Sequence, residues 1–556
     1  LQLDAVTYQV IASRLSGIVG EMQESIFRTG YSTIIRESQD ASCMILDAGG
    51  DVVGEHVILP LHVTCLPAVV RNIRAAFDDI GPGDVFITNH PYLGGVPHSM
   101  DMAVVAPVFS EGELIGFCAS IAHKSDLGGP IPGTANGNAR DIFHEGTQYP
   151  PVRLVRGGKT VPEVEAILGA NSRTPQLVLG DIRGQIGVAR LGERRILETI
   201  ERYGRDVLLA AFARKQDATE RQIRAALATW PDGVHEAESF LEVGNPAKPI
   251  VRFHVRVEKR DRSITFDLTG CDDQVDEPIN IHPALVRGCV SYALIAMIDP
   301  TLANNGGVSR CIELQLRPGS IVHPNFPAPT NSYIPSTLAV TEACIEALSG
   351  FVPHRRVARV GGFGTISLGG VRDDGSRFVQ YELAGSAYGG RAGSDGPSGV
   401  AVLLSNARSA SIEILESEFP TRVRRFELIQ DSGGAGEYRG GLAARRDVEI
   451  LASTASLSFR GHGHVIAAAG RDGGADGRPA SCTLHPDSPE AQSLPSRFAG
   501  VALTTGDRIR FERGGGGGLG DARKRPPEAV IEDVRNGYVS RESAVRDYGL
   551  DAGRLP

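Results

Sequence analysis

No apolar run in this 556-residue chain approaches the roughly 18 to 20 residues a helix needs to cross a bilayer; stretches such as VSYALIAMI, Val290 to Ile298, fall far short. A helical membrane anchor is therefore not expected. The opening LQLDAVTYQV has neither the basic nor the apolar segment of a secretory signal, so a cytoplasmic location is expected. The eight cysteines (Cys43, Cys65, Cys118, Cys271, Cys289, Cys311, Cys344 and Cys482) form no CxxC pair. Their scatter argues for reduced, mostly buried thiols and against a thiolate zinc site. Lysine and arginine nowhere cluster with interleaved aromatics, and the formal net charge is -9, so nucleic acid is not an expected partner.

Phosphate-cradling loops are missing as well. RLVRGGKT ends like a Walker A sequence, but Arg153 stands where its first glycine is required. GGGGGLG, Gly514 to Gly520, contains G-x-G-x-x-G, yet DARKRPP follows it and not a helix with an apolar face. A dinucleotide cradle needs that helix N-terminus, so ATP is not expected on this chain. There is no repeat of fixed period and no long low-complexity linker.

What is present reads as a globular protein: 41% hydrophobic and 22% charged residues, on a chain long enough for two to four domains. DAVTYQVIASRLSGIVGEMQESIFRTG predicts a helix, with Val6, Val10, Ile11, Leu15, Ile18, Val19, Met22 and Ile26 on one face and Gly30 as its stop. Positions 174–229 are strongly helical. From 233 on, HEAESFLEV, IVRFHVRVEKR and SITFDLTG alternate as strands, PALVRGCVSYALIAMI follows as a helix, and the last 130 residues or so read as short strands with glycine-rich turns. The expected fold class is mixed α+β (α/β) and multidomain: an N-terminal helix with β-hairpins carrying the site, a long helical segment, then β-rich regions. The expected divisions are 1–231, 232–419 and 420–556.

The stretch NHPYLGGVPHSMDM sets His98 and Asp101 three residues apart, just after a Pro-Tyr and Gly-Gly turn. From the residues alone the pair has two readings, half of a metal site or two polar loop residues. AVVAPVF and ELIGFCASIAH, joined by SEG, predict a hairpin over 103–123. Asp101 precedes its first strand and His123 ends its second, which makes them neighbours in an antiparallel pair. Asp40 stands at the entrance of another predicted hairpin, SCMILDAGGDVVGE, turning at 48–51. Imidazole mixed with carboxylate suits Zn, Mn or Fe(II). The loop AHKSDLGGPIPGTANG puts Lys124 and Asp126 beside His123, either as outer-sphere or acid-base groups or as solvated loop residues. In YELAGSAYGGRAGSDGPSGV the glycines permit close backbone approach, and His462 and His464 read as structural or solvated.

Together RESQDASCMILDAGG, PGDVFITNHPYLGG, HSMDMAVVAPVF, AHKSDLGG, EGTQYPPVRL, RLGERRILETIERYG, DSGGAGEYRGGL and GGGGGLGDARKRPPEAVIEDVRNGYVS make the chain resemble, almost end to end, one family. It is the B component of ATP-dependent hydantoinases and 5-oxoprolinases, with relatives in caprolactamase and in acetone and acetophenone carboxylases. The resemblance implies one divalent metal per chain (Zn, Fe or Mn) held by Asp40, His98, Asp101 and His123. It also implies a hetero-oligomer in which a separate, ATP-binding A-type partner carries ATP and Mg and phosphorylates the amide oxygen of a small cyclic amide. This chain would then open the activated ring by attack of metal-bound hydroxide, with Glu37, Lys124 or Asp126 handling protons. The alternatives are a subunit of an acetone- or acetophenone-type carboxylase and a non-catalytic scaffold. Two departures stand out against the usual N-D-P-Y-x-G-G-T-H-x-x-D: His90 replaces the aspartate, and Pro97 is an extra residue ahead of His98. Lys124 occupies a position where many members carry a second histidine.

Overall fold

The computed structural model describes residues 3–56, 59–244 and 248–556. The first helix, α1 (Ala5–Thr29), starts where the Asp4 carboxylate accepts the N–H groups of Val6 and Thr7, at 3.0 and 2.9 Å. From Ile11 onward its apolar stripe is buried, through Leu15, Ile18, Val19, Met22 and Ile26. Val6 and Val10 share the stripe but are exposed, because the first turns of the helix reach past the core they were expected to cover.

A one-turn helix α2 (Thr33–Arg36) leads into a seven-stranded sheet: β1 (Ala41–Asp47), β2 (Val52–Glu55), β3 (Val85–Thr88), β4 (Asp101–Ser110), β5 (Glu113–His123), β6 (Val152–Arg156) and β7 (Lys159–Thr160). Their spatial order is β2-β1-β5-β4-β3-β6-β7. Both predicted hairpins form, with β4 starting two residues earlier than expected, at Asp101 itself. Helix α3 (His62–Ala76) covers one face, packing on Met44, Leu46, Val105, Phe117 and Ile121. On the other face lie α1, α4 (Pro162–Ala170), α5 (Pro175–Tyr203) and α6 (Arg205–Leu227), against Cys43, Ile45, Val104 and Cys118. A sheet covered on both faces needs apolar residues at every position, which is why AVVAPVF and CMIL run without alternation.

The middle of the chain is a four-stranded sheet (Gly233–Glu242, Ile250–Arg260, Ser263–Asp267 and Ile312–Gln315) packed on the helices Pro283–Ile298 and Ile334–Ser349. Beyond it two more sheets share one core, and the strand Gly364–Val371 pairs along its length with Thr454–Gly461. That pairing crosses the expected division at 419, so the residues on either side of it share a sheet. The last segment, expected to be β-rich throughout, closes with helices Pro527–Arg535 and Arg541–Arg546. All eight cysteines are buried free thiols. Among the described residues no helix is long and apolar enough to cross a membrane.

The two rejected phosphate loops have other uses. RLVRGGKT is the β6–β7 hairpin. Gly514 to Gly518 is the axis of a backbone lattice in which successive N–H groups radiate to different segments: Gly515 to Arg478 O, Gly516 to Gly441 O, Gly517 to Arg359 O, and Gly518 back to the first segment at Ala475 O, all at 2.9–3.0 Å. None of these glycines has positive φ. A Cβ built on Gly515, Gly516, Gly517 or Gly518, or on Gly440 and Gly474 opposite them, would fall inside the 3.0 Å floor of real Cβ contacts, against a backbone carbonyl. Glycine is needed there so that backbones can touch, as at the crowded axis of collagen. The glycines of 381–400 do the same through Gly389, Gly390 and Gly396, whose backbone neighbours are protein and not ligand.

Candidate metal centre

The loop after β3 is pinned before it delivers anything. The Asn89 amide donates to Ser99 O (2.7 Å) and Thr147 O (2.9 Å), and its Oδ1 accepts the Tyr149 N–H (2.6 Å). His90 Nδ1 accepts the N–H groups of Tyr92 and Leu93, at 3.2 and 3.1 Å. An aspartate carboxylate would close the same turn, so the His90 departure keeps the loop geometry.

The loop ends by bringing His98 to the mouth of the β4–β5 pair, where Asp101 and His123 face each other in register. His98 Nε2 lies 3.2 Å and His123 Nδ1 3.1 Å from Asp101 Oδ1. A ligand atom from each of the three falls within 4.8 Å of the others. Asp40 enters from the residue before β1, its Oδ2 4.0 Å from His123 Nδ1. Three of the four sequence-predicted ligands thus form one cluster, and Asp40, from a separate stretch of chain, stands beside its His123 member.

The hydrogen-bond network decides the tautomer of His98. Asn331 Nδ2 donates to Thr134 O, which fixes the amide so that its Oδ1 faces His98 Nδ1 at 2.6 Å, and Asn331 O lies 3.0 Å from the same nitrogen. Two acceptors there require the proton on Nδ1. His98 Nε2 then faces the Asp101 carboxylate oxygen, a contact completed by a second ring proton or by a cation held between the two. Asp101 Oδ2 and His123 Nε2 are buried without a hydrogen-bond partner. The donor set fits a divalent metal.

The electrostatics agree. Burial alone would raise the Asp101 carboxyl, but His98, His123 and His62 around it hold it well below the usual carboxylate range. Burial lowers the His123 imidazole to about 4, which keeps it neutral and able to ligate. Burial, with Asp101 alongside, pushes Asp40 up to about 7. A bound cation would reverse that last shift.

Several members of the site carry no sequence signal. His62, at the start of α3, places Nε2 3.7 Å from Asp101 Oδ2 while its Nδ1 meets Ser42 Oγ at 3.0 Å. Tyr333 packs edge-on against His98 and Tyr381 lies over His123, with ring centroids 4.8 and 4.5 Å apart. Arg460 donates to Tyr381 Oη and to Asn331 O. Asn331 and Arg460 are over 200 and 300 residues from His98 in sequence, and neither lies in a ligand-like pattern.

The three predicted proton-handling residues are placed differently. Lys124 is fully buried, and burial lowers its ammonium to about 8 against the pull of Asp181, Asp101 and Asp40. Asp126 is also buried, but its carboxylate is taken up by the N–H groups of Gly128, Gly133 and Arg173 and by the Arg173 guanidinium. Glu37 is partly exposed and pairs with Arg36 at 3.0 Å.

Comparison with known proteins gives a consistent result. The family model described as hydantoinase B/oxoprolinase matches residues 4–522. The B component of a putative D-/L-hydantoinase from Pseudomonas sp. (strain NS671) is 35% identical over 99% of this chain and 95% of its own length. The crystal structure of ATP-dependent caprolactamase from Pseudomonas jessenii superposes with a TM-score of 0.92 at 27% identity, covering 100% of this chain and 98% of that one. A nucleotide-free acetone carboxylase structure shares the fold at a TM-score of 0.87 and 19% identity, covering 99% of this chain and 80% of that one. This chain belongs to the hydantoinase B/oxoprolinase family.

Proposed function

We propose that this chain is the hydrolytic B component of an ATP-dependent hydantoinase, oxoprolinase or lactamase, acting on a cyclic amide that an ATP-binding A-type partner has phosphorylated. The observation that carries the reading is the convergence of Asp40, His98, Asp101 and His123, with His98 Nε2 and His123 Nδ1 both turned to the Asp101 carboxylate. These four residues would hold one divalent metal. When bound, it would supply Lewis acidity and an activated water near neutral pH.

The rest follows from the residues and the chemistry of the ring. Amide resonance makes an unstrained ring carbonyl a poor electrophile; moving a phosphoryl group from ATP onto its oxygen removes that protection. Water then adds to the ring carbon, the C–N bond breaks, and the nitrogen takes a proton, leaving an acyl phosphate. A second water converts this to carboxylate and phosphate. Lys124, fully buried and under the electrostatic pull of Asp181, Asp101 and Asp40, is our choice for the group that moves the proton. Asp126 holds the 126–133 loop, and Glu37 belongs to the α2 ion pair. Asn331 fixes the His98 tautomer, and Tyr333 and Tyr381 fix the ring planes of the two histidines.

The test is reconstitution with the ATP-binding partner, offering hydantoin, 5-oxoproline and caprolactam with ATP. Ring opening coupled to ADP formation is expected for at least one of them. Bicarbonate-dependent consumption of a ketone, with no ring opened, would replace this reading with the carboxylase.

A further inference from the structure

A cavity of about 350 Å³ opens between α3, the β1–β2 turn, the helix Pro283–Ile298 and the segment 304–312, large enough for a small molecule and lined by none of the four candidate metal ligands. Three arginines and one carboxylate line it. The exposed Arg71 pairs with that carboxylate, Asp51, and Arg310 is held by Asp217 at 2.8 Å and by Gln216. Arg287 is left over. It is half-buried, and among the described residues no carboxylate stands within ion-pair distance of it and no acceptor within hydrogen-bond distance.

Such a charge destabilises the free protein. Burial and the like charge of Arg71 both lower the Arg287 guanidinium, and no carboxylate offsets them. Unlike the sealed guanidinium nitrogens of Arg513, those of Arg287 keep open surface, so the cavity is where a partner would reach them. Two neutral side chains that line the same cavity also have unused donors. Asn304 and Ser309 are half-buried, and neither side chain makes a hydrogen bond among the described residues. Their neighbour Asn305 shows the contrast: its amide donates to Thr219 Oγ1 and its Oδ1 accepts the Gly307 N–H, both at 2.9 Å. A guanidinium, an amide and a hydroxyl with free donors around one space, whose lining carboxylate is already paired, match the demands of an oxyanion.

We propose that this cavity binds an oxyanion, the phosphate or carboxylate of a small molecule, with Arg287 as its charged contact and Asn304 and Ser309 as neutral donors. The site lies outside the hydrolytic reading and needs neither a metal nor a partner subunit. The test is calorimetric titration of the full chain with inorganic phosphate and, separately, with glutamate, the ring-opened form of 5-oxoproline. At least one is expected to saturate a site, and which of them does so assigns phosphate or carboxylate as the group recognised. Arg287→Gln weakens that binding by about tenfold or more, the value of a charge-assisted hydrogen bond. It does so without lowering the melting temperature of the anion-free protein, because it removes a charge that nothing in the chain offsets. Asn304→Ala and Ser309→Ala each weaken the binding several-fold, and His98→Ala leaves it unchanged. Absence of saturable binding of both anions, or equal affinity in Arg287→Gln and the wild type, would overturn the assignment. So would binding lost in His98→Ala and kept in Arg287→Gln, which would place the anion at the candidate metal centre instead.

Discussion

The candidate metal centre and the glycine lattice both join remote stretches of chain, and they do so with opposite means. At the centre, His98 and His123 meet at Asp101 with Asp40 beside His123, and the backbone only delivers them. In the lattice, Gly514 to Gly518 join four other segments through backbone groups, and the requirement is that no side chain be present. A substitution at the first should therefore remove function and spare the fold. At the second it should remove the fold itself.

The largest effect is expected from Gly440→Ala, whose methyl would collide with the Gly516 carbonyl on the lattice axis. Relief requires two backbones to separate and several hydrogen bonds to lengthen, so a loss of roughly 4–5 kcal/mol or more, in the range that unfolds a domain, is expected. Soluble yield and the denaturant midpoint read it directly. Gly187→Ala is the control within the same chain: it lies on α5 with nothing within 4 Å of the added methyl, and should stabilise by about 0.5–1 kcal/mol.

Next in size is His98→Ala. Partners that only orient a ligand cost about 10–100-fold when removed, so loss of the ligand itself should lower turnover of the reconstituted complex by more than about 100-fold, with the melting curve of the metal-free protein little changed. Asn331→Ala, which removes the shorter of the two acceptors at His98 Nδ1 and leaves the backbone carbonyl, is expected within that 10–100-fold interval, read as metal affinity. If Asn331→Ala matched His98→Ala, the division between ligand and orienting partner would be wrong.

The smallest effect concerns Glu145, buried beneath the site with its Oε1 accepting the N–H groups of Thr330 and Asn331. Burial raises its carboxyl from an ordinary 4.5 to about 8. The folded protein thus holds a proton that the unfolded chain releases, and between about pH 4.5 and 8 stability falls as pH rises. The slope from this group is at most about 1.4 kcal/mol per pH unit. Glu145→Gln keeps an acceptor for the two N–H groups and removes the slope, so its advantage in denaturant midpoint over the wild type should grow from pH 5 to pH 8. A constant difference across that range would contradict the account.

Much of the site was legible because strand pairing is local in pattern. Apolar runs and the turn residues between them predicted the hairpins, and antiparallel pairing turned a separation of 22 residues between Asp101 and His123 into a contact. His62, Asn331 and Arg460 were not legible, since each is an isolated polar residue whose partner is brought near only by tertiary packing, of α3 on its sheet for His62 and of remote segments for the other two. The exposure of Val6 and Val10 was hidden for a related reason: periodicity identifies a face but not how far the surface behind it extends. The glycine lattice escaped for a different reason. Gly514 to Gly520 matched a known motif in letters, but nothing in a glycine run names the backbones that will lie against it.

The claim on which the account depends is that Asp40, His98, Asp101 and His123 hold a metal. Metal content of the purified chain and of its His98→Ala variant, measured by mass spectrometry after growth with Zn, Fe and Mn supplied, tests it most directly. About one divalent ion per chain in the wild type, lost in the variant while both proteins keep the same circular dichroism, is the predicted result. A wild type without metal, or a variant that retains it in full, would contradict it.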